Sequence, residues 1–167
     1  MKSKQKSLIV LSFVIVFLFL GCASQTAYQR QSKFIESEYA PYAGKGTSSI
    51  VGQAFLKTRG GDVKFAAGNM VTLNPVTTYS TEWFNIDILQ NRRMEPADPR
   101  VIPFNRQTTA DGNGNFEFRN LRAGEYYIAT HVHWQVPSSG GLRQTGRIFG
   151  KRVKVGKGES VKVILTR

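Results

Sequence analysis

His131-Val132-His133 places two imidazoles two residues apart, and on a strand that spacing turns both to one face. Paired imidazoles supply two of the ligands that zinc or copper needs, so metal binding is the first chemistry this sequence suggests. Val132 and Trp134, however, continue an inward side begun by Tyr126 and Ile128, which turns His131 and His133 towards solvent. They are the only two histidines of the chain, and no aspartate or glutamate stands beside them. Asp111-Gly112-Asn113-Gly114-Asn115 begins like a calcium loop but lacks the later ligands and the closing glutamate. A hairpin turn accounts for those residues. The chain carries no nucleophile elbow, HExxH or phosphate loop, so the expectation is a non-enzyme with no cofactor.

The single cysteine, Cys22, follows Lys2, Lys4 and Lys6 and an apolar run from Leu8 to Leu20. Such a run fits a signal-peptide core of roughly 7–15 residues and falls short of the roughly 20 that span a bilayer. A charged start, a short apolar run and Gly21-Cys22 resemble the signal of bacterial lipoproteins. That resemblance implies cleavage between Gly21 and Cys22, with lipid on the sulfur and the new amino group of Cys22. Ala23 and Ser24 replace the aspartate that retains lipoproteins at the inner membrane in enteric-type sorting, so the resemblance implies the outer membrane. Several acyl chains on one residue would anchor stably.

The formal net charge is +12, but it is unevenly spread. From Arg119 to Arg167 there are 10 basic and 2 acidic residues, whereas the stretch from Ala23 to Phe118 is nearly balanced. If Val153, Val155, Val161 and Val163 point inward, then Arg152, Lys154 and Lys162 point outward. Across a β-hairpin they would form one cationic face. Such a face either protects a sheet edge or binds an anionic glycan, an anionic lipid or an acidic envelope protein. Nucleic acid is not an expected partner for a chain exported to the envelope.

These residues need elements to hold them. Residues 22–46 are polar with scattered tyrosines and no clean period, and read as a lipidated tether to a domain at 47–167. Ile50, Gly52, Ala54 and Leu56 alternate as one strand face, and Val71 and Leu73 form part of another, ended by Pro75. Over residues 80–89, Thr81 could cap a short helix with Trp83, Ile86 and Leu89 on one side. Asn91 to Pro103 reads as an irregular connection. Asp111-Gly112 signals a hairpin leading into Phe116 and Phe118. The last two strands, over residues 147–155 and 160–166, meet across Gly156-Lys157-Gly158-Glu159.

The stretch from Asp111 to Ile128, with its glycine turn, Phe116-Glu117-Phe118, Asn120-Leu121 and Ala123-Gly124-Glu125-Tyr126, resembles the carboxypeptidase regulatory-like domain. That family has a transthyretin-like (prealbumin-like) β-sandwich. The expected fold is therefore all-β, a single antiparallel sandwich of about seven strands with a short helix in an insertion. The resemblance implies a structural or protein-binding module of the envelope, with Arg152, Lys154 and Lys162 or the insertion from Trp83 to Arg100 as contact surface. Two alternatives remain open. One is a module binding carbohydrate, anionic lipid or metal through His131, His133 and exposed aromatics. The other is a small transthyretin-related hydrolase, a branch implied by the same resemblance. That branch ends Tyr-Arg-Gly-Ser, whereas this chain ends Leu165-Thr166-Arg167.

Overall fold

Alternating apolar residues build two sheets that close on one core in a computed structural model describing residues 26–167. The expected signal peptide over residues 1–21, its cleavage site after Gly21, and Cys22 with the start of the expected tether lie outside the described residues. In the first sheet, strand β1 (Ser48–Lys57) is central. It pairs with β5 (Asn115–Leu121) and, at its far end, with β2 (Val63–Phe65). Strand β8 (Ser160–Leu165) joins β1 in parallel, from Ser49 opposite Ser160 to Ala54 opposite Leu165. The second sheet runs β4 (Arg106–Thr109), β3 (Met70–Pro75), β6 (Gly124–Ser138), β7 (Gly141–Val155), all antiparallel. The architecture is an all-β sandwich of eight strands among the described residues, with β1 and β8 as its parallel pair.

Ile50, Ala54 and Leu56 of β1 meet Phe116 and Phe118 of β5 and Val163 and Leu165 of β8 in the core. From the other sheet come Val71, Leu73, Tyr126, Ile128, Val132, Phe149 and Val153. Ile50, Leu73, Ile128 and Val132 have no exposed surface at all. Burying such side chains stabilises by roughly 1.5–3 kcal/mol each, which fixes the strand faces.

Two connections differ from the sequence expectation. The Asp111 turn does not close a hairpin within one sheet; it carries the chain from β4 in the second sheet to β5 in the first. Asp111 still makes the local turn, accepting from the backbone N–H groups of Asn113 and Asn115, both at 2.8 Å. The link from Gly156 to Glu159 likewise passes from β7 to β8 in opposite sheets. Turn chemistry dictates that the chain reverses, not which sheet the next strand joins. Here both flanking strands bury their apolar side in the same core, so the reversal crosses the sandwich edge.

The insertion forms helix α2 (Thr78–Trp83) and continues as a π-helical turn over Phe84–Leu89. Its cap is Thr77, not Thr81: Thr77 Oγ1 accepts from Ser80 N–H, and Ser80 Oγ accepts from Thr77 N–H. Thr81 instead donates back to the Thr77 carbonyl at 2.6 Å. The buried side is Phe84 and Ile88, while Leu89 is 53% exposed, so the expected face of Trp83, Ile86 and Leu89 is corrected. Spacing by three assumes ordinary helical winding, whereas i→i+5 bonding widens the turn and aligns residues about four apart. Phe84 stacks on Tyr127 at 4.2 Å, pressing the helix onto the outer face of the second sheet. Gly150 of β7 permits this approach, since a Cβ there would lie 2.9 Å from the Phe84 ring. After an irregular stretch, a 3₁₀ turn over Pro99–Phe104 leads to β4.

Residues 26–46, expected as a tether, lie against the sandwich instead. Helix α1 (Glu36–Tyr39) is short, and its Tyr39 is 2% exposed between Phe34 and Phe104. Tyr39 accepts a hydrogen bond from Thr77 Oγ1 at 3.0 Å. The Glu38 carboxylate accepts from Thr78 N–H and Oγ1, and Glu82 accepts from the N–H groups of Gln31 and Ser32. Further on, Tyr42 packs edge-on against Tyr126. The strap therefore clasps the insertion at several unrelated points, which is why its sequence shows no period.

Candidate functional site

Because α2 covers only part of the second sheet, a groove of about 340 Å³ remains between helix and sheet. Trp83 and Asp87 reach it from the helix, Thr72 from β3, Gln107 from β4, His131 from β6, and Asn105 from the turn before β4. Ala129 and Ile148 line its apolar part. Thr72 and Gln107 are direct register partners, so their side chains share the outer face.

Trp83 Nε1–H donates to Asp87 Oδ2 at 3.1 Å. This bond fixes the indole and leaves the second carboxylate oxygen of Asp87 as an acceptor. Burial pushes the Asp87 carboxyl above the usual carboxylate range, against the opposing effects of the Trp83 bond and the Arg30 charge. A desolvated carboxylate beside an indole is a strong acceptor for hydroxyl donors. Asn105 and Gln107 add amide groups that both donate and accept, and His131 adds an imidazole. An amphipathic, hydroxyl-rich ligand finds both of its requirements here.

His131 and His133 stand on the exposed outer face with ring centroids 5.6 Å apart, as the alternation requires. Only His131 lines the groove. Among the described residues no three histidine, cysteine, aspartate or glutamate side chains gather in a metal-ligating group.

The cationic face expected from Arg152, Lys154 and Lys162 does not assemble. Arg152 and Lys154 lie on the outer side of β7 in the second sheet, whereas Lys162 lies on β8 beside Val51 in the first. Arg152 is also engaged, its Nη2 donating to Glu125 Oε2 at 2.5 Å. The error follows from treating β7 and β8 as one hairpin.

Trp83 and Asp87 fall within the insertion from Trp83 to Arg100 that the sequence offered as a contact surface, whereas Asn105, Gln107 and Thr72 were missed as site residues. The four-residue spacing of Trp83 and Asp87 was the one local signal; the others converge only through sheet pairing.

No protein-family model matches this chain, and no curated protein matches it. Among solved structures, the chain is similar to a proposed carbohydrate-binding protein of Pseudomonas aeruginosa, with a TM-score of 0.73 and 29% sequence identity over 81% of this chain and 99% of that one.

Proposed function

We propose that this protein is a non-catalytic carbohydrate-binding module of the bacterial cell envelope, held by lipid on Cys22 at the outer membrane. The observation that carries the binding reading is the Trp83–Asp87 pair in a groove whose polar lining includes Thr72, Asn105, Gln107 and His131. Sugars present an apolar ring face and a fringe of hydroxyls, which call for an aromatic surface and planar polar groups side by side. The likeness to a proposed carbohydrate-binding protein points the same way. The non-catalytic reading is supported by Asp87 being the single carboxylate among the described residues that line the groove, since glycoside hydrolysis ordinarily uses two. The lipid anchor rests on the sequence from Lys2 to Cys22.

Screening the mature protein against an array of immobilised neutral and acidic glycans tests this reading. Retention of one glycan class by the wild type, lost in Trp83→Ala, supports it. Equal retention by both proteins, or none by either, contradicts it.

A protein-contact role is the second reading. The outer face of the first sheet leaves Val63, Phe65 and Ile164 42–46% exposed, with Phe55 edge-on to Phe65. Cross-linking in intact cells would recover one envelope protein at near-equal amount if this face has a dedicated partner.

A further inference from the structure

Behind the groove lies a second, smaller cavity of about 90 Å³, lined by Arg30, Tyr39, Asn74, Tyr79, Trp83 and Asn105 among others. Trp83 and Asn105 line both spaces and so form the wall between them. Two buried polar atoms of the cavity's residues have no hydrogen-bond partner among the described residues: the Nε–H of Arg30, a donor, and Oδ1 of Asn105, an acceptor. The Arg30 side chain is only 6% exposed. Leaving such buried groups unpaired is unfavourable, the more so for a charged one. The rest of Arg30 is well held, with Nη1 donating to the Tyr79 carbonyl at 3.0 Å and the guanidinium 3.9 Å above the Tyr79 ring. Glu82 approaches Arg30 to 3.9 Å and supplies its countercharge.

The geometry points to a hydroxyl-binding subsite in this cavity, reached from the groove past the shared wall of Trp83 and Asn105, in which one ligand hydroxyl accepts from Arg30 Nε–H and donates to Asn105 Oδ1. A carboxylate or phosphate could satisfy Arg30 but offers nothing to an acceptor, and Glu82 already balances the charge. An ammonium group could satisfy Asn105 but would face a buried cation. A hydroxyl does both. The volume suits a hydroxymethyl arm, the group that projects furthest from a hexopyranose ring lying in the groove. This inference rests on the carbohydrate reading of the groove and adds which part of the sugar is read.

Titrations with methyl glucoside, methyl galactoside and methyl mannoside, each beside its 6-deoxy analogue, test it. A site that hydrogen-bonds a hydroxyl rejects the analogue lacking it, because its own buried groups are left unpaired. At least one parent glycoside is expected to bind tenfold or more tightly than its 6-deoxy form. Arg30→Lys, which keeps the charge beside Glu82 but removes the Nε–H and alters no groove-lining residue, is expected to erase that difference while retaining groove binding. Equal affinity, in the wild type, for every parent that binds and its 6-deoxy analogue would overturn the subsite and leave the groove reading standing. A crystal structure of the complex with water between Arg30 and Asn105, and the sugar wholly in the outer groove, would do the same. No binding by any of the six glycosides, with no glycan retained on the array, would overturn both.

Discussion

Trp83 and Asp87, four residues apart across the junction of α2 with its π-helical turn, are joined by a 3.1 Å bond from the indole N–H to the carboxylate. Burying the Asp87 carboxylate is costly to the fold, and the bond from Trp83 offsets only part of that cost. Burial raises the Asp87 pKa, so the folded protein holds that proton to higher pH than the unfolded chain does. Stability falls as pH rises from the ordinary aspartate value of 3.8 through the raised one, and the cost persists at neutral pH. Asp87→Asn, which keeps an acceptor for the indole, is therefore expected to raise the melting temperature at pH 7. Denaturation at a series of pH values should show the gain vanish in acid. The same variant is expected to bind glycan at least about tenfold more weakly, a loss of about 1.4 kcal/mol. A gain in stability with unchanged binding would remove Asp87 from the site.

The strap gives a second prediction. Tyr39 is held by Thr77 and packs in a cluster with Phe34, Tyr79, Val101 and Phe104. Tyr39→Ala is expected to destabilise by about 3 kcal/mol, as large-to-small changes at buried aromatics do. Chemical denaturation measures it. A change below ~0.5 kcal/mol would mean that residues 26–46 behave as the tether their composition suggests.

How much of this was legible beforehand follows from where each signal resides. Alternation places Ile50, Ala54, Phe116, Phe118, Ile128 and Val132 inward, because a two-residue period carries that information locally. The π winding is not visible in a spacing count, so Trp83, Ile86 and Leu89 looked like a face. Sheet membership was not legible at Asp111 or at Gly156, where the turn is encoded but the partner strand lies far off in sequence. That single ambiguity separated Lys162 from Arg152. The groove was harder still. Thr72, Asn105, Gln107 and His131 become neighbours only after β3, β4 and β6 pair.

Tyr126 supplies a third prediction. Its hydroxyl donates to the Arg122 carbonyl at 2.7 Å, pinning the corner between β5 and β6. Burial pushes its pKa up to about 12 from 10.0, so the folded state prefers the neutral phenol. The associated stability is fully present below pH 10 and is lost as pH rises towards 12. Tyr126→Phe is expected to cost about 1 kcal/mol at pH 7 and to flatten the alkaline limb of the stability profile. An unaltered alkaline limb in the variant would assign that limb to another group.

A fourth concerns charge. Arg152 and Lys162 lie on different sheets, and the Arg152–Glu125 pair is exposed on both sides. Arg152→Ala is expected to change stability by less than about 1 kcal/mol. Its effect should add independently to that of Lys162→Ala. Coupling above about 0.5 kcal/mol in a double-mutant cycle would show the two residues acting as one surface.

The anchor is tested separately. Metabolic labelling with a palmitate analogue is expected to mark the wild type and leave Cys22→Ala unlabelled and absent from outer-membrane fractions. Equal labelling of both would overturn lipidation at Cys22.

The most direct test of the central claim is a nuclear magnetic resonance titration of the mature protein with the best glycan from the array. The account predicts shifts at the Trp83 indole N–H, the Gln107 side-chain amide and the His131 ring, with little change on the outer face of β1, β5 and β8. Shifts confined to that opposite face, with Trp83 and His131 unmoved, would contradict it.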